Sequence, residues 1–317
     1  MTALNKLKEV VRLFEQNGIE DAPKEAEILI AEVLDIDSSR LYSGDLEIQG
    51  SAIQQIDTFA ARRVQGEPLQ YIIGHVEFYG LKIHVGPGVL IPRPETELLV
   101  EETIKAMKNR EELCVMGDEL KDKDSLSLNS SLFTHHPSLS FHILDLCTGS
   151  GCIALALAKH FPEASVIGVD RSEAAMVYAT QNAIENKVQN AHFRLGDLYG
   201  PVKGMTFDCI VSNPPYVRRD EIPTLQREVK DYEPVEALDG GADGLDFYRR
   251  ILKEAPVYLE GGGLIILEIG YDQADDIKEI AAGAGLGDIV FLKDYAGIRR
   301  IMVGRSDNIR VARLPVS

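Results

Sequence analysis

The chain has 317 residues, 45% hydrophobic and 26% charged, the balance of a globular protein long enough for two domains. Its 50 acidic residues against 33 basic ones leave a formal net charge of −17, which argues against stable nucleic-acid binding because holding phosphates takes Lys and Arg. No apolar run approaches the roughly 20 residues that cross a bilayer, and the N-terminus lacks a signal-peptide core, so a cytoplasmic protein with no membrane partner is expected. Leu4, Leu7, Val10, Val11 and Phe14 recur at helical spacing, with Gly18 placed to end that helix. Asp21 predicts the cap of a second helix with Pro23 in its first turn, and Ser51 the cap of a third that stops at Gly66. These helices carry no obvious chemistry and suit substrate recognition or structural support.

Residues 77–85 alternate and are followed by Gly86-Pro87-Gly88, which predicts a short hairpin. A helix is then expected from the Ile91-Pro92-Arg93-Pro94-Glu95-Thr96-Glu97 stretch to about Lys108, with Arg93, Glu95 and Glu97 on a solvated face. Residues from about 109 to 140 are polar and uneven, and read as a loop or partly disordered insertion. His135 and His136 within it have no acidic or Cys partner at ligand spacing. Cys114, Cys147, Cys152 and Cys209 show no Cys-x-x-Cys pattern, so reduced thiols and no metal site are expected.

From Phe141 the pattern changes to alternating strands and helices, the mark of a doubly wound α/β sheet. A strand to Leu146 leads into Cys147-Thr148-Gly149-Ser150-Gly151, a tight turn whose glycines allow positive φ and close approach of backbone N–H groups to a ligand. A second strand ends at Asp170, where an acid typically accepts hydrogen bonds from ribose hydroxyls. A third ends at Gly196-Asp197, and a fourth, Phe207 to Val211, stops at Asn213-Pro214-Pro215-Tyr216. A fifth runs from Gly262 to Ile269, and the last two, 288–292 and 300–303, form a terminal antiparallel hairpin.

Gly149-x-Gly151-x-x-Ala154 also fits a relaxed dinucleotide fingerprint, so a nicotinamide cofactor competes with S-adenosylmethionine. The terminal hairpin and the Asn-Pro-Pro-Tyr turn favour the methyl donor. Together with the glycine turn, that tetrapeptide resembles the signature of methyltransferases acting on planar amino or amide nitrogens. The chemistry explains the residues. An amide nitrogen is a poor nucleophile because its lone pair is delocalised. The Asn213 side-chain oxygen and the Pro214 carbonyl can each take one N–H, orienting the lone pair and stabilising the charge that develops. Pro215 stiffens the turn, and Tyr216 can pack on the flat amide.

At greater length the chain resembles the glutamine methyltransferases that modify peptide-chain release factors. The resemblance covers Gly66-Glu67-Pro68-Leu69-Gln70-Tyr71-Ile72-Ile73-Gly74, residues 90–97, residues 144–151, Asn213 to Tyr216, Glu233-Pro234, the 237–245 segment and Glu268-Ile269-Gly270. It implies a Rossmann-like S-adenosylmethionine-dependent methyltransferase sheet over residues 93–317, preceded by a small all-α recognition domain at 1–74 and a hairpin linker at 75–92. It implies a donor site at Cys147, Thr148, Gly149, Ser150, Gly151, Asp170, Asp197 and Leu198. Asn213 to Tyr216 would hold the glutamine of a Gly-Gly-Gln loop in class 1 release factors, with Asn213 touching both ligands. Cys147 stands where the family often has Gly, and Leu198 where relatives are often aromatic. The acidic loop 239–246 either shapes the substrate mouth or caps the helix that follows. Rival readings are a glutamine methyltransferase acting on a ribosomal protein, a nucleic-acid amino-methyltransferase, and a catalytically silent donor-binding module.

Overall fold

The computed structural model describes residues 1–121 and 140–306. The chain opens with α1 (Ala3–Gln16), where the Thr2 hydroxyl caps the Asn5 N–H at 3.3 Å and Leu7, Val10 and Phe14 point inward. In α2 (Ala22–Leu34), Asp21 occupies the cap position but its side chain makes no capping bond, and Pro23 carries the start. α3 (Gly50–Val64) begins one residue before the expected Ser51 cap, because Gln49 already holds the extended cap conformation. A short α4 (Leu69–Ile73) and the hairpin β1 (His75–Phe78) and β2 (Leu81–His84) follow.

The next helix, α5 (Pro94–Lys121), is longer than the expected stop at Lys108. It takes in the first part of the expected insertion; residues 122–139, including His135 and His136, lie outside the described residues. The solvated face expected at its start is only partly so. Glu95 is exposed, but Arg93 reaches Glu233, and Glu97 accepts the Tyr79 N–H at 3.0 Å.

The remaining elements alternate: β3 (His142–Leu146), α6 (Cys152–His160), β4 (Ser165–Asp170), α7 (Glu173–Glu185), β5 (Ala191–Leu195), β6 (Phe207–Ser212), α8 (Arg227–Tyr232), α9 (Asp246–Tyr258), β7 (Leu259–Glu268), α10 (Ala274–Gly283), β8 (Leu286–Lys293) and β9 (Arg299–Ser306). Among the described residues they form a seven-stranded sheet in the order β5-β4-β3-β6-β7-β9-β8. Five strands are parallel, while β9 runs antiparallel to β7 and β8 antiparallel to β9. This is the expected doubly wound sheet with its terminal hairpin. Each central strand is buried on both faces. Ile143, Val166, Cys209 and Val211 join a core under the α5–α7 side. Leu144, Ile167, Ile210 and Ile265 join a second core with α9 and α10.

Strand order reverses at β3, whose neighbours are β4 and β6, and the crevice above such a switch point is where open α/β sheets bind ligands. Leu146 pairs with Ser212 in register, so the turn after β3 and the turn after β6 leave the sheet side by side. The helical bundle is tied to this region through Arg63, which holds Glu25 on α2 and reaches Glu228 on α8 at 2.7 Å. Tyr232 adds a bond to the Gln65 carbonyl at 3.2 Å.

Candidate active site

The expected donor end is built from strand termini. After β3 the chain turns through Cys147, which holds φ 57, a left-handed conformation that suits glycine and strains other residues. Cys147 is half-buried in the cavity lining, and burial of its thiol pushes it well above the ordinary range, which disfavours the thiolate. Asp170 at the end of β4 pins the turn: one carboxylate oxygen accepts the Gly149 N–H and the other the Ser172 N–H, both at 2.9 Å. Burial raises its carboxyl, and these two backbone bonds oppose the rise. Beneath the turn, fully buried Asp145 accepts from the Thr148 hydroxyl at 2.5 Å and the Ala154 N–H at 3.1 Å, while burial pushes it up to about 7.

The two glycines serve different ends. Gly149, φ +54, would bring a Cβ no closer than 4.0 Å to Val89, so its backbone conformation sets the choice. At Gly151, φ +81, a Cβ would come within 2.9 Å of the Phe193 ring, so this glycine lets α6 start against β5.

The Asn213–Tyr216 turn, expected to hold the acceptor, is fixed from a distance. Asn213 Nδ2 donates to Thr96 Oγ1 at 3.1 Å, and Thr96 Oγ1 donates to Glu268 Oε2 at 2.8 Å. Thr96 and Glu268 are each 2% exposed, and burial pushes the Glu268 carboxyl up to about 7. Behind the prolines, Gln273 Nε2 donates to the Tyr216 carbonyl at 2.9 Å and to the Gly244 carbonyl at 3.2 Å. The 239–246 loop lies along the same backbone: Val217 N donates to the Leu238 carbonyl and Gly240 N to the Val217 carbonyl, both at 2.9 Å. A Cβ on Gly240 would sit 2.8 Å from Tyr216 Cα. Neither account of this loop from sequence captures that buttress, and no side chain caps α9. Glu233, 4% exposed, accepts the Ile91 N–H at 3.1 Å and pairs with Arg93 at 2.5 Å, fixing the strap over the crevice.

One cavity of about 350 Å³ gathers most of the expected residues: Cys147, Thr148, Gly149, Ser150, Asp170, Asp197, Leu198, Asn213 and Pro215 all line it. Gly151, Pro214 and Tyr216 stand off its wall. Tyr216 turns inward, its hydroxyl 3.5 Å from Glu268 Oε1. Asp197 is paired with Arg250 at the rim. Sequence reading missed Phe247, a wall residue flanked by the Arg171 and Arg250 guanidinium groups at 5.7 and 5.8 Å. It also missed Asn182, whose amide bonds the Ser150 and His84 carbonyls and so ties the hairpin to the glycine turn. A lone Asn in a helix carries no sequence signal for such a role.

These residues suit S-adenosylmethionine. Acids follow β4 and β5, and Val169, Leu198 and Phe247 give apolar walls. Ser150 Oγ is buried in that lining with the Cys152 thiol as its weak neighbour, which leaves it capacity for a stronger polar partner. Among the described residues no cluster of three or more His, Cys, Asp or Glu could hold a metal ion.

The sheet order, the cavity at its switch point and the two turns define a methyltransferase that depends on S-adenosylmethionine. Residues 114–229 match the methyltransferase small domain family, and residues 5–74 match the PrmC N-terminal domain. The chain is 46% identical to a release factor glutamine methyltransferase of Thermodesulfovibrio yellowstonii, over 96% of this chain and 98% of that protein. It is 38% identical to one of Geobacter sulfurreducens, over 92% of each, and 36% identical to one of Fusobacterium nucleatum, over 93% of this chain and 76% of that protein. The chain belongs to the release factor glutamine methyltransferase family.

Proposed function

We propose that the chain methylates the side-chain amide nitrogen of the glutamine in the Gly-Gly-Gln loop of class 1 peptide-chain release factors, in the cytoplasm. The observation that carries this reading is the placement of Asn213. Its amide borders the same cavity as the glycine turn, and its nitrogen is already committed to Thr96. S-adenosylmethionine, when bound, supplies an electrophilic sulfonium methyl. The protein's task is then to present a weak nucleophile. Asn213 Oδ1 and the Pro214 carbonyl take the two N–H groups of the glutamine amide, turning its lone pair toward the donor and stabilising the positive charge that nitrogen gains. The nitrogen–carbon bond would form as the sulfur–methyl bond breaks, its electron pair leaving with S-adenosylhomocysteine, and the nitrogen then releases one proton to solvent, so no strong base is needed beforehand. The names of the relatives support the acceptor, and the 1–74 bundle, matched to its own domain family, suits recognition of the factor's surface.

The test is transfer of labelled methyl to purified release factor, beside a factor whose Gly-Gly-Gln glutamine is replaced. Label on the intact factor alone supports the reading. Label on neither, with donor bound, overturns it and points to a ribosomal protein or, failing that, to a nucleic acid.

A further inference from the structure

We propose that Thr96 and Glu268 are positioning residues that fix which end of the Asn213 amide faces the acceptor. The inference deepens the reading above and rests on it. Thr96 comes from the first turn of α5 and Glu268 from the end of β7, so neither belongs to the turn they control. A threonine hydroxyl has one proton and two lone pairs. With Glu268 ionised, its carboxylate has nothing to donate, so the Thr96 proton goes to Glu268 Oε2 at 2.8 Å. Only lone pairs remain toward Asn213, and the amide can meet them only with Nδ2, at 3.1 Å. The two branches of a primary amide diverge, so Oδ1 is left for the glutamine N–H groups. Both Thr96 and Glu268 are buried, where a misdirected polar group is costly, and the chain of bonds therefore holds one orientation. Without it the amide can flip, and an N–H would face the N–H groups it has to accept.

Three variants test this, assayed well above pH 7, where burial no longer keeps Glu268 protonated. Thr96→Val keeps the shape and removes the hydroxyl; Thr96→Ser keeps the hydroxyl. The expected result for Thr96→Val is a kcat lower by roughly 10- to 100-fold, with acceptor KM and calorimetric donor Kd close to wild type and a thermal midpoint lowered by a few degrees, because buried Glu268 loses a partner. Thr96→Ser should restore kcat to within about threefold. If the valine variant does not fold, Thr96→Ala carries the same measurement without a methyl pressed against Glu268. Wild-type kcat in the valine or alanine variant overturns the proposal. So does a loss in which donor affinity falls in step with kcat, since that marks a structural role. Failure of the wild-type enzyme to label any glutamine would instead sink the acceptor assignment, so the two failures are distinguishable.

Discussion

The donor end of the cavity and the acceptor turn beside it are held by different means. At the donor end, strand termini and backbone groups do the work: Asp170 bonds Gly149 and Ser172, and the Thr148 N–H meets the Val169 carbonyl at 3.0 Å. The acceptor turn depends on side chains that arrive from far along the sequence, Thr96, Glu268 and Gln273. A nucleoside and a flexible tail can be gripped by a turn and two acids. An amide nitrogen that must lose conjugation needs acceptors with a fixed direction, and a two-proline turn alone does not fix the Asn213 side chain. The difference teaches that the two turns are supported by separate contacts, and the proposed function predicts that donor binding and methyl transfer can each be broken alone.

The largest expected effect is at the acceptor turn. Asn213→Ala should lower kcat by about 10²-fold or more, as loss of one preorganised partner does, measured in single-turnover assays at saturating donor. Next comes the buried carboxyl behind it. Glu268 is held protonated up to about 7 by burial, against an ordinary value of 4.5, with Thr96, Tyr216 and the Arg300 guanidinium opposing the rise and Glu95 adding to it. Tyr248 donates to its backbone carbonyl, and Cys152 lies near it. A raised folded value gives stability that is full below about 4.5 and lost as pH rises through about 7. Urea unfolding should show wild type losing on the order of 3 kcal/mol over this window relative to Glu268→Gln, which does not titrate. Equal slopes for the two proteins would contradict it.

At the donor end, Asp170→Ala leaves the Gly149 and Ser172 N–H groups without their acceptor. Donor Kd should weaken by about 10- to 100-fold while kcat at saturating donor changes little, measured by calorimetry and steady-state kinetics. The smallest effect falls on the buttress. Gly240→Ala pushes a methyl toward Tyr216 Cα and should cost about 1 kcal/mol in stability by denaturant midpoint, with donor Kd unchanged.

The same contrast explains what the sequence disclosed. The glycine turn, Asp170 and the alternation of strands and helices are local patterns, and the structure places them as expected. The Asn-Pro-Pro-Tyr turn was visible because two prolines after a buried strand leave few conformations. What could not be read is the partner of each buried polar side chain. Thr96, Glu233 and Glu268 stood in recognisable motifs with no role attached, because Asn213 and Thr96 are 117 positions apart and Thr96 and Glu268 are 172 apart. Helix limits failed for a similar reason: Ser51 is a good capping residue, yet the conformation at Gln49 starts α3 before it. The stop expected at Lys108 rested on the charged residues that follow it, although Leu113, Met116 and Leu120 keep helical spacing in the sequence.

The central claim is that Asn213 acts chiefly on the acceptor, although it borders the cavity proposed for the donor and is expected to touch both ligands. Calorimetric titration of S-adenosylmethionine into the folded Asn213→Ala variant tests this most directly. A Kd within about threefold of wild type, in a protein whose methyl transfer is nearly lost, is the predicted result. A Kd weakened in proportion to the lost rate would contradict the account and make Asn213 a donor-binding residue.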